Sequence, residues 1–226
     1  MDPRHHQHTA TIAEVIRLLS TDARQPRVGA RSNPVQQERA LDRCSQLVRR
    51  LVMVSSSPHQ HHADLDQALL LFMERSLHYN CVPQCSNASS IRLAQIYTKA
   101  QTLWFMGRHL PSLLTQLPAL CMQDLLQPHS TIIAPAAAEA LSRSSEGTTR
   151  HHQTVAAALT THPKFYVRDF LLRAVARTAW DSPPSRLITA VQTSGRAGDP
   201  SVIRVWQRRA MAALRPERSP APSTHL

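Results

Sequence analysis

At 226 residues the chain suits one sizeable domain or one elongated array rather than two enzymatic domains, and its 42% apolar and 18% charged residues suffice for a buried core. Five glycines occur where average usage gives roughly 16, and no pair of them has phosphate-loop spacing, which excludes the familiar nucleotide cradles. The net charge of +11 is uneven: residues 1–57 hold 9 basic and 5 acidic side chains, 58–146 hold 5 and 6, and 147–226 hold 12 and 4.

Residues 1–34 read as a short helix followed by a basic loop. The opening stretch, with His5, His6 and His8, lacks the basic-then-apolar order of a secretory signal. Asp2, Glu14 and Asp22 argue against an acid-poor mitochondrial presequence, so an intracellular protein, nuclear or cytoplasmic, is expected. Thr11 stands three residues ahead of Glu14 as in a capping box, and Ile12, Val15, Ile16 and Leu19 follow at helical spacing, predicting a helix over 11–20. Residues 21–34 carry Arg24, Pro26, Arg27, Gly29, Arg31 and Pro34 without periodicity and read as loop.

Residues 35–127 form a helical N-terminal part. Leu41, Cys44, Val48, Leu51 and Val52 predict a helix over 35–54, and Leu65, Ala68, Leu69, Phe72 and Leu77 one over 63–78. Ile91, Ala94, Thr98 and the cluster Leu103 to Met106 predict a third over 90–106. From Leu110 to Leu126 the pattern stays helical, but Pro118 lacks the amide donor and breaks or kinks it. No segment alternates with period two, and Asn-Gly and Asp-Gly are absent, so the fold class is all-α. The apolar runs are too short for a membrane span. The four cysteines, Cys44, Cys81, Cys85 and Cys121, read as reduced thiols.

Residues 128–215 contain one pattern three times. The anchors Ile133, Val167 and Ile203 are 34 and 36 residues apart, and each is followed at +4, +7 and +8 by mainly small or apolar residues. The copies read Ile133, Ala137, Ala140, Leu141; then Val167, Leu171, Ala174, Val175; then Ile203, Gln207, Ala210, Met211. Pro128, Pro163 and Pro200 precede them, where a proline fits a turn into a helix. Second helical patterns at 149–160 and 184–193 lie between the anchors, giving antiparallel helix pairs in which alanine permits close stacking. Residues 216–226, with three prolines, read as a disordered tail.

This arrangement resembles HEAT and armadillo-type repeats, whose second helix often reads aspartate, a short gap, then Val-Arg-x-x-Ala-x-x-Ala-Leu. Val167-Arg168 with Leu171, Ala174 and Val175 is similar, and so is Asp199-Pro200 leading to Ile203-Arg204, Ala210 and Met211. Gln207 departs from the small-residue position, and the first copy has Ala134 in place of the arginine. The resemblance covers roughly residues 125–215 and implies a short α-solenoid; the residue pattern alone also allows an irregular helical bundle.

The candidate partner-binding residues are Arg173, Arg177, Arg204, Arg208, Arg215 and Trp206. Helical spacing puts Arg173 and Arg177 on one side of their helix, and Arg204, Arg208 and Arg215 on one side of theirs, which stacked together would form a cationic stripe. The aromatics Phe165, Tyr166, Phe170, Trp180 and Trp206 are expected mostly in the core. Such a stripe suits an acidic protein segment or the phosphates of RNA or DNA, while a solvated face is the plain alternative.

Two loose ligand clusters, His59 with His62 and Asp66, and His78 with Cys81 and Cys85, lack the four well-spaced ligands of structural zinc. No G-x-S-x-G or H-E-x-x-H occurs, and the acids are scattered. The expected function is a non-enzymatic scaffold or adaptor subunit of a larger complex, without cofactor, metal or membrane contact; a nucleic-acid-binding subunit is the alternative.

Overall fold

A computed structural model of the chain describes residues 11–19, 39, 42–49, 63–74, 88–128 and 131–215. Among them the regular elements are α-helices and one 3-10 turn, with no strand, so the all-α class holds. The segments read as a basic loop (21–34) and a tail (216–226) lie outside the described residues, as do Leu41, Leu51, Val52, Leu77 and the side chain of Ile91.

Helix α1 (11–19) buries Ile12, Val15, Leu18 and Leu19, and α2 (42–49) buries Cys44 and Val48. Thr11 is itself helical, whereas an N-cap residue has non-helical backbone. The Glu14 carboxylate accepts two 2.9 Å bonds from Arg17 and lies 3.3 Å from Arg43 of α2. Helix α3 (Ala63–Glu74) buries Leu65, Ala68, Leu69, Phe72 and Met73. Its terminal carbonyls have no intrahelical donor, and that of Met73 accepts from Lys99 Nζ at 2.9 Å and from Cys121 Sγ at 3.3 Å.

Helix α4 (Ala88–His109) runs three residues beyond its expected end. Pro118 divides the next stretch instead of kinking a single helix: a 3-10 turn, Pro111–Thr115, lies on one side of it and α5 (Ala119–Leu125), for which Pro118 is the N-cap, on the other. After α5 come α6 (Ile133–Leu141), α7 (Ser145–Arg150), α8 (His152–Thr161), α9 (Phe165–Arg177), α10 (Ser185–Thr193) and α11 (Ser201–Ala213). The pattern over 149–160 is split at His151 into the end of α7 and α8. Ser144 caps α7, accepting from the Gly147 amide at 3.0 Å and donating to the Pro111 carbonyl at 2.9 Å, so the cap also ties α7 to the 3-10 turn.

The three anchor helices are neighbours: α6 packs between α4 and α9, and α9 packs on α11, while α8 packs on α10. Ile133, Val167 and Ile203 are at most 1% exposed, and the small positions Ala137, Ala140, Ala174 and Ala210 are buried with them. Close approach has a measurable reason at the α4–α6 contact. A Cβ on Gly107 would stand 2.6 Å from Ala140 Cα and 2.8 Å from its Cβ, inside van der Waals contact with rigid backbone. At Gln207 the departure from small residues is explained by two bonds: its amide donates to the Val191 and Gln192 carbonyls at 2.8 and 2.7 Å, satisfying the C-terminal end of α10.

One charged side chain lies fully inside this packing. Arg168 of α9 is 0% exposed, donates to the His162 and Pro163 carbonyls at 2.8 and 3.0 Å, and pairs with Asp199 just ahead of α11. Asp199 also accepts from the Arg196 amide at 2.7 Å. Burial works against the Asp199 carboxylate, but the bonds and charges of Arg168 and Arg196 outweigh it and hold its carboxyl below the ordinary value.

Substituting Gly107→Ala is expected to lower unfolding free energy by about 1–3 kcal/mol despite alanine's better helix propensity, because overpacking against backbone cannot relax cheaply. Urea denaturation of the two proteins reads this directly, and equal midpoints contradict the close contact.

Candidate functional site

The outer side of α9 and α11 carries an arginine cluster built around one indole. Trp206 is half-buried, and the guanidinium carbons of Arg209, Arg173 and Arg177 lie 4.7, 5.2 and 5.9 Å from its ring centre. An indole's negative face attracts cations, which offsets part of the repulsion among three guanidiniums. Arg173 also lies 5.5 Å from the Phe170 ring and pairs with the Asp169 carboxylate, one helical turn back, at 2.6 Å. Phe170 therefore sits beside Arg173. Arg177 donates to the Ser142 carbonyl at 3.3 Å. Arg177 and Arg209 have no carboxylate partner among the described residues.

Arg209 was not among the sequence candidates. Its place three residues after Trp206, on the same side of the helix, was the available signal.

Arg204, Arg208 and Arg215 lie elsewhere. At 100° per residue Arg204 and Arg208 occupy one side of α11, nearly opposite Trp206, whereas Arg215 lies two residues past the end of the helix. All three are exposed and lack a carboxylate partner among the described residues. Arg208 and Arg215 line an open groove of about 460 Å³ with Gln192, Gln207, Met211 and Ala212. The bonds from Gln207 fix this flank of α11 against α10. The six candidates thus divide between two basic surfaces: Arg173, Arg177 and Trp206 on one, Arg204, Arg208 and Arg215 on the other.

The aromatics are also placed differently from expectation. Phe165 is 42% exposed, and Tyr166, Phe170, Trp180 and Trp206 are half-buried rather than enclosed. The α9 core is filled instead by Val167, Leu171, Leu172, Ala174 and Val175. Tyr166 and Phe170 lie one turn apart on the same side as Arg173, and Phe165 meets Tyr166 edge-on at 5.6 Å. Aromatic and guanidinium groups are therefore interleaved here, although aromatics form only 4% of the chain.

His59, His62, His78, Cys81 and Cys85 lie outside the described residues, so only Asp66, on α3, is placed. Among the described residues no three His, Cys, Asp or Glu side chains converge as metal ligands. Burial pushes the Cys121 thiol up to about 11, against the opposing charge of Lys99, so it is a poor nucleophile at neutral pH.

Two histidines are enclosed. His151 Nε2 lies 2.7 Å from the Leu114 carbonyl, so it carries the proton, and its buried Nδ1 has no partner. His162 Nδ1 accepts from the Lys164 amide at 3.2 Å, and its buried Nε2 has no partner. Burial depresses the pKa of both, assisted by the Arg150 charge at His151 and by Arg168, Arg196 and Lys164 at His162.

Comparison with protein-family profiles, curated proteins and solved structures gave no match. No described helix is long and apolar enough to cross a membrane.

The histidines make stability pH-dependent with a defined sign. Their folded pKa values fall below the unfolded value of about 6.5, so the unfolded chain takes up protons first. Their contribution is complete above that pH and declines as pH drops through it. The urea midpoint is expected to fall from pH 7 to pH 5, and to fall less in His151→Gln/His162→Gln; equal slopes in both proteins contradict the assignment.

Proposed function

We propose that this protein is a non-enzymatic scaffold or adaptor subunit that holds an acidic segment of a partner protein on the outer side of α9 and α11. The observation that carries the reading is Trp206 among Arg173, Arg177 and Arg209, with Phe170 beside Arg173. Trp, Tyr and Arg are the residues that dominate interface energetics, since each combines large apolar contact with directed polar bonds. Two guanidiniums without a carboxylate partner among the described residues supply charge for an acidic chain, and planar arginine forks meet carboxylates bidentately.

The architecture favours the same reading. A row of α4, α6, α9 and α11, with α8 and α10 as a second row, supports reading the chain as a short α-solenoid of HEAT or armadillo type. In such an array each helix pair contacts only its neighbours, leaving long faces free for partners. Arg168 and Asp199, 31 residues apart, join successive pairs in that reading.

A second reading has its own observation. Half-exposed rings beside arginines also suit stacked bases and phosphates, so the same surface fits single-stranded RNA or DNA.

The two are separated by fluorescence anisotropy with three labelled probes, an acidic Leu/Glu amphipathic peptide, a 20-nucleotide RNA and the corresponding DNA, in a salt series. The scaffold reading expects the peptide to bind more tightly than either nucleic acid at physiological salt. It expects Arg177→Glu/Arg209→Glu and Trp206→Ala each to weaken the peptide at least tenfold. Submicromolar nucleic-acid binding with a steep salt slope, lost in the same variants, replaces it with the second reading. Peptide affinity unchanged in the variants removes this surface from either role.

A further inference from the structure

We propose that the outer side of α11 around Arg204 and Arg208 is a docking face for a partner protein's helix pair whose second helix is entered through an aspartate. The proposal rests on reading α9 and α11 as successive copies of one unit, and it concerns a surface separate from the Trp206 cluster.

Aligning Val167 with Ile203 sets Arg168 against Arg204, Asp169 against Val205, and Leu172 against Arg208. In α9 these three are covered, at 0%, 7% and 0% exposure, and Asp199 reaches Arg168 from the head of α11. In α11 the three corresponding residues are exposed, Val205 at 37%. The same side of the same unit is thus packed in one copy and open in the next. Neither Arg204 nor Arg208 has a carboxylate partner among the described residues. The open face continues through Ala212, Met211 and Arg215 into the groove beside Gln192 of α10, where a first helix would lie as α10 lies on α8.

Charge selects the occupant. A purely apolar helix would strip water from two guanidiniums without replacing their bonds, which is costly. An aspartate at the head of the docking helix gives Arg204 the partner that Asp199 gives Arg168, and aliphatic side chains behind it cover Val205 and Met211. A free second copy of this chain is disfavoured, because its Asp199 is already held by its own Arg168, an arginine that a stretch of residues 180–215 alone does not carry.

The test places such a helix pair in reach by inserting a second copy of residues 180–215 after Arg215 in the full chain. Circular dichroism is expected to show added helix. Arg204→Ala is expected to lower Tm by about 2–4 °C in the extended chain, the shift for about 1 kcal/mol in a protein of this size, and to leave the native chain unchanged. Changing the added copy's counterpart of Asp199 to asparagine is expected to abolish that difference. Equal effects of Arg204→Ala in both chains, or an added copy that gains no helix, overturn the proposal. So does a native chain in which Arg204→Ala already lowers Tm and Glu217→Gln removes the loss, since residues 216–226 then occupy the face. None of these readouts depends on the Trp206 cluster, whose role stands or falls on peptide binding.

Discussion

A fully buried guanidinium constrains how the C-terminal helices are arranged. Arg168 cannot shed its charge, so its enclosure requires acceptors for the two terminal nitrogens of its guanidinium. Three come from two places: the His162 and Pro163 carbonyls in the turn before α9, and Asp199 in the turn before α11. The pairing sets the head of α9 beside the head of α11. Once those turns are in register, Val167 and Ile203 enter the core at corresponding places, and Trp206 comes within reach of Arg173 and Arg177. A guanidinium buried this way favours one register over its neighbours more than it adds net stability.

Small side chains and backbone acceptors supply the remaining order. Gly107 against Ala140 brings α4 and α6 close enough to exclude a single methyl group. Exposed helix ends are closed by side chains from neighbouring elements: Lys99 and Cys121 on α3, Gln207 on α10, His151 on the 3-10 turn. Each closure links two elements through a backbone carbonyl. The basic surfaces are the faces this packing leaves uncovered.

Much of the C-terminal fold was legible because it is written in apolar spacing. Ile133, Val167 and Ile203 recur at a near-constant interval, and α10, Ser185–Thr193, lies within its expected 184–193. The division of the arginines was not legible. Spacing along one helix tells which residues share a side, but not which side meets a neighbour, and Gln207's bonds to α10 decide that for α11. The aromatics were misplaced for a related reason: large apolar residues suggest core, yet the aliphatic side chains of Val167, Leu171 and Ala174 fill the close-packed interior and leave the rings at its edge. Arg168 stood in a recognisable Val-Arg pair, but an arginine is ordinarily a surface residue, and its acceptors are turns fixed only by the fold.

Arg168 and Asp199 act as one unit holding α9 to α11, and a double-mutant cycle measures their coupling. Urea unfolding of Arg168→Met, Asp199→Asn and the double variant should give single losses that do not add, with a coupling energy of about 1–3 kcal/mol and reduced hydrogen-exchange protection in α11. Losses that add to within about 0.5 kcal/mol, with α11 protected as before, contradict it.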